Sequence, residues 1–132
     1  MSTAYRLHAD TGVAEVGYTG KISPAEAIGI TSAMVGDEAW SPVFRRYLWT
    51  YEHGTDLSEM DARANEEILE VFNTIKQTSL DGAPTRTAHL VADDVLNIAV
   101  TLWVLQSEGR LINSEEKVFR SRQMALDWLA GL

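Results

Sequence analysis

Base and metal-ligand chemistry in this chain would draw on its carboxylates and on three histidines, His8, His53 and His89, because it contains no cysteine. The lack of thiols excludes a disulfide framework, a thiolate zinc site, an iron-sulfur cluster and a cysteine nucleophile, and it fits a reducing, cytoplasmic setting. A hydrolytic triad needs a nucleophile activated by a base that a third group orients. His8 falls in a segment that reads as a hairpin, and His89 sits between Ala88 and Leu90 in an apolar run, the place of a hydrogen-bonded structural histidine. No Gly-x-Ser-x-Gly elbow, phosphate loop or dinucleotide fingerprint occurs. The expectation is a protein with neither catalytic residues nor a cofactor.

Glu52, His53, Asp56, Asp93 and Asp94 are the metal-ligand types that strand ends would gather, since ligands collect outside the carboxyl ends of parallel strands. The same residues serve equally well as a helix cap, a turn aspartate and a solvated loop histidine. No metal is therefore expected, and a metal-dependent enzyme at His53, Asp93 and Asp94 stands only as the third functional reading.

The elements that position these groups follow from pattern. With 132 residues, 45% hydrophobic and 23% charged, the chain reads as one domain over residues 1–132 with its own core. A net charge of -8 repels phosphate backbones and anionic lipid surfaces, so no nucleic acid is expected as a partner. No apolar run reaches the ~18 residues of a membrane span, and no membrane insertion is expected. Tyr5, Leu7 and Ala9 alternate ahead of Asp10-Thr11-Gly12, and Val13, Val16 and Tyr18 follow, which predicts a β-hairpin. Ser23-Pro24 opens a helix to about Asp37, and Tyr47–Tyr51 is the central strand. Ser58 and Asp61 form a Ser-x-x-Asp capping pattern before a helix to about Thr78 that carries Ala64, Ile68, Phe72 and Ile75 on one face. Thr87–Ala92 reads as a buried strand, Val95–Ser107 as a helix, Glu116–Phe119 as a strand and Arg122–Ala130 as the last helix. The order ββαβαβαβα predicts an α/β fold with a mixed, mostly parallel sheet and flanking helices.

The helix over Val95–Ser107 is apolar almost all round. Val95, Ile98, Ala99, Leu102 and Leu105 are expected to face the core. Leu96, Val100, Trp103 and Val104 then form the candidate interface, with Trp103 as the anchor of a homodimer. Trp40, Trp49 and Tyr47 are candidates for the wall of a pocket between sheet and helices.

The element order, together with Lys117-Val118-Phe119-Arg120-Ser121-Arg122 leading into Ala125-Leu126-Asp127-Trp128-Leu129, resembles the bacterial SpoIIAA-like proteins of the STAS superfamily. Arg86-Thr87-Ala88-His89-Leu90-Val91-Ala92-Asp93-Asp94 is similar to the fourth strand and helix entry of those proteins. In the antagonists of that superfamily an Asp-Ser-Ser-Gly stretch opens the helix after the central strand, and its first serine is phosphorylated. Here Asp61 fits, but Ala62 stands where that hydroxyl would be, and Arg63 and Ala64 also depart. The resemblance therefore implies a non-enzymatic protein-interaction or regulatory module without the phosphoserine switch. Thr55 and Ser58, with Asp61, form a candidate helix-entry site if the match slips by a few residues. The similarity of this fold to the lipid-binding CRAL-TRIO architecture gives the alternative, a carrier or sensor of a small apolar ligand.

Overall fold

The computed structural model of the chain describes residues 2–132. Their order is β1 (Thr3–His8), β2 (Val13–Tyr18), α1 (Pro24–Val35), β3 (Arg46–Tyr51), α2 (Ala62–Leu80), β4 (Thr85–Val91), α3 (Asp94–Ser107), β5 (Ser114–Phe119) and α4 (Arg122–Ala130). The strands lie side by side in chain order. β1 pairs antiparallel with β2, and every later pair is parallel. The expected α/β class and the parallel run β3, β4, β5 are thus present.

Each helix begins on a side-chain oxygen that accepts from the amide three residues on: Ser23 from Glu26, Asp61 from Ala64, Asp93 from Leu96 and Ser121 from Met124. Asp61 is itself the cap of α2, so Ser58 lies outside the helix, where its amide donates to Asp56 Oδ1 at 2.8 Å. α2 stops where Asp81 and Gly82 take φ of 52° and 69° and their amides both turn back to the Lys76 carbonyl.

Strand alternation sends successive side chains to opposite faces. One face packs Val13, Leu48, Ala88 and Phe119 against Ala125 and Leu129 of α4. That helix is clamped at both ends. The Arg122 fork grips Glu15 at 2.8 and 3.0 Å, while Arg46 and Arg86 of the sheet donate to the carbonyls of Leu129 and Trp128 at 2.9 and 2.7 Å. Cations at a helix C-terminus also offset its dipole, so sheet arginines supply what α4 lacks in its own last turn. The other face packs Val16, Tyr18, Trp49, Tyr51 and Val91 against α1, α2 and α3.

α3 reverses the orientation expected from its sequence. Leu96 and Val100 are 2% exposed and Trp103 packs half-buried against the same core, so three of the four residues taken as an interface turn inward, and Val104 is half-buried. Val95, Ile98, Leu102 and Leu105 are instead 60–77% exposed. Both stripes are aliphatic, so hydrophobicity alone does not choose between them. Polar contacts do: Trp103 Nε1 and Ser107 Oγ reach Glu116 on β5, at 3.0 and 2.9 Å, only with this stripe inward.

Candidate functional site

A cavity of about 240 Å³ lies between the sheet and helices α1, α2 and α3. Tyr47, Trp49 and Tyr51 alternate on β3 and so share its wall, as the sequence reading allowed for Tyr47 and Trp49; Trp40 only packs against the surrounding core. Trp49 stacks on Phe72 of α2, whose edge meets Trp103 of α3, with centroids 6.2 and 6.1 Å apart. The apolar wall joins these rings to aliphatic side chains from all three helices, Met34, Ile68 and Val100 among them.

Polar groups cross this wall in two places. The first runs diagonally over three adjacent strands. Tyr51 Oη lies 2.8 Å from His89 Nδ1, and His89 Nε2 lies 2.6 Å from Glu116 Oε1. The register pairs Trp49 with His89 and His89 with Val118, so each partner is a diagonal same-face neighbour, within reach of long side chains. Trp103 and Ser107, one turn apart on α3, complete the shell of Glu116.

Burial pushes the Glu116 carboxyl up, but the hydrogen bond and charge of His89 and donation from Trp103 and Ser107 outweigh this and hold it below the usual glutamate range. Glu116 is thus a carboxylate, and His89 Nε2 must donate to it. Burial raises the Tyr51 hydroxyl well above the ordinary tyrosine value, the charges of Tyr18 and Glu116 adding to the effect. A neutral His89 ring accepts at Nδ1 from this phenol, and an imidazolium donates to it. A phenol held protonated in this way is a hydrogen-bonding group and a poor nucleophile.

The second polar place is Lys76 of α2. It sits one turn from Phe72 and one turn from Leu80, on the inward stripe, and is 7% exposed. Its Nζ donates to Thr85 Oγ1 at 2.6 Å and to the Asn113 carbonyl at 3.1 Å. Asn73, three residues earlier, clamps the same loop by donating to Arg110 O at 2.9 Å and accepting from Ile112 N at 3.0 Å. Burial lowers the Lys76 ammonium to about 8, with the charge of Glu116 opposing the shift.

The residues that the sequence singled out lie mostly elsewhere. Thr55 is buried, its hydroxyl donating to the carbonyls of Glu52 and Tyr18 at 2.7 and 3.1 Å. With Asp61 spent on its helix and Ser58 exposed, the three hydroxyl and carboxyl groups of the helix entry each answer to a local contact. At the carboxyl ends of β3 and β4, His53 Nδ1 does meet Asp93 Oδ2 at 3.1 Å. Asp93 is also the cap of α3, and Asp94 turns to Arg120 at 2.7 Å. Among the described residues no three histidines or carboxylates stand close enough to share a metal ion.

Sequence reading missed Lys76, Glu116 and Tyr51. Lys76 left one signal, a lysine at four-residue spacing between Phe72 and Leu80 on an apolar stripe. Glu116 left none, because Ser114-Glu115-Glu116-Lys117 offers two adjacent carboxylates and no way to tell which one turns inward.

The chain matches no protein-family model, no curated protein and no solved structure, so the chemistry of the site rests on its own geometry. Among the described residues no helix is long and apolar enough to cross a membrane.

Proposed function

We propose that this is a non-enzymatic binding module of SpoIIAA-like architecture that takes a small apolar molecule into the cavity beneath α1, α2 and α3. The observation that carries this reading is the largely apolar cavity itself, about 240 Å³ in a chain of only 132 residues. Native interiors hold few voids larger than a water, and an apolar cavity of about 150 Å³ already takes benzene. Few placed polar groups in a mainly apolar wall is the usual make-up of a small-molecule site. The raised Tyr51 hydroxyl and the fully engaged Glu116 support binding over catalysis, since the relay ends on no activated nucleophile. Trp49 and Trp103 line the cavity and report on it directly. Their emission should change saturably on titration with an eight-carbon apolar probe, octanol or octanoate. A chain that responds saturably to neither has no such site.

A second reading, association of two copies, is favoured by α3. Val95, Ile98, Leu102 and Leu105 recur at spacings of three and four, the pattern of a helix-packing seam, and are exposed. This is the reverse of the stripe that the sequence suggested. Light scattering that finds only monomer at high micromolar concentration would end it.

A further inference from the structure

We propose that the ligand of this cavity is a small organic acid, its apolar body against the apolar wall and its carboxylate on Lys76. The inference rests on the cavity being a ligand site and names the class of ligand. Two charged groups line the cavity, and they differ in how far their charge is compensated. Glu116 spends both oxygens on its own donors: Oε1 on His89 and Trp103, Oε2 on Ser107. Lys76 has only the neutral oxygens of Thr85 and Asn113, and no carboxylate lies within ion-pair distance of it among the described residues. Three N–H groups against two hydrogen-bond acceptors leave it short of an acceptor, and the charge of Glu116 acts on it only from beyond ion-pair distance.

A buried ammonium is costly unless it is paired, and the lowered Lys76 value expresses that cost. A purely structural link from α2 to Thr85 and Asn113 needs a donor and no charge. An anion entering the cavity supplies the missing partner through a charge-assisted hydrogen bond, which is stronger than a neutral one. Geometry sets the orientation. Thr85 and Ser114 open β4 and β5, so Lys76 marks the amino-terminal end of these strands, and the Trp49–Phe72 stack lies further along. This is the opposite end from the aspartates at which the sequence placed a ligand. The volume exceeds the about 150 Å³ that takes benzene, which suits a medium-chain or single-ring acid.

Octanoate, octanol and octylammonium share a chain and differ in the head group. Titrated against the intact chain with tryptophan emission as readout, octanoate should bind at least tenfold tighter than octanol, and octylammonium weakest. In Lys76→Met the preference for the acid should vanish. If octanol equals or exceeds octanoate in the wild type, the acid assignment is wrong and the apolar site stands. If none of the three binds, the site itself is wrong. A wild-type preference for octanoate that persists in folded Lys76→Met would also overturn the role given to Lys76. Should that variant not fold, the ranking of the three probes on the wild type still decides the ligand class.

Discussion

The two faces of the sheet are cut from the same strands and solve opposite problems. Under α4 the alternation places Leu48, Ala88 and Phe119, and the charged groups stay at the rim, where Arg46, Arg86 and Arg122 grip the ends of the helix. Under α1, α2 and α3 the alternate residues of the same strands are Tyr51, His89 and Glu116, and the charge sits in the middle of the layer. One helix packs on the first face, and three helices leave a cavity over the second. Burying polar groups in a small domain is unfavourable unless each finds its partner. The contrast teaches that the α4 face is closed by a small apolar cluster with its charges at the rim, while the other face buries the larger core and carries polar groups and a cavity within it.

Breaking the closed face should have the largest effect. Leu48 is fully buried beneath α4, and Leu48→Ala should lose about 3 kcal/mol in urea denaturation, as deep leucine truncations do. A loss under about 1 kcal/mol would mean that the face is not tightly packed.

On the cavity face, Glu116→Gln should lose about 2 kcal/mol at neutral pH, because His89, Trp103 and Ser107 all donate to a charge that the amide lacks. The sign of its pH dependence is set by a carboxyl held below its unfolded value of 4.5. Its contribution is complete above that pH and disappears as pH falls through the lower, folded value. The gap between wild type and Glu116→Gln should therefore narrow in acid, which denaturation at a series of pH values would show.

Lys76→Met should change stability in the other direction, raising it by about 1 kcal/mol at neutral pH, since an apolar residue removes an unpaired buried cation. The folded value of about 8 lies below the unfolded 10.5, so the folded wild type binds fewer protons between them and gains stability as pH rises through that window. The advantage of the variant should shrink there. A variant that is less stable than wild type at every pH would make Lys76 a structural residue and blunt the contrast between the faces.

The smallest effect on stability is expected outside both faces. Leu105→Glu, on the exposed stripe of α3, should shift stability by no more than about 0.5 kcal/mol while separating any dimer in light scattering.

Local pattern made the elements legible. Ser23-Pro24, the Tyr47–Tyr51 run and the start of α4 at Arg122 all fall where caps and alternation place them. What pattern could not supply was the direction in which an element turns. α3 carries two aliphatic stripes, and the choice between them depends on Trp103 and Ser107 meeting Glu116, a partner on another strand. His89 reads correctly as a hydrogen-bonded strand histidine, but its partners Tyr51 and Glu116 lie 38 and 27 residues away in sequence. A site assembled across three strands and two helices leaves its trace in register and diagonal contacts, which no single segment contains.

The most direct test of the binding face uses the four tryptophans, which divide between the two sides of the sheet. Indole N–H signals in a ¹H–¹⁵N spectrum can be followed as octanoate is added to the intact chain. Trp49 and Trp103 line the cavity, whereas Trp128 packs on the α4 face. The signals of Trp49 and Trp103 should move together and saturate while that of Trp128 stays in place. Equal movement of Trp128, or no movement of the cavity pair at saturating octanoate, would contradict the assignment of binding to that face.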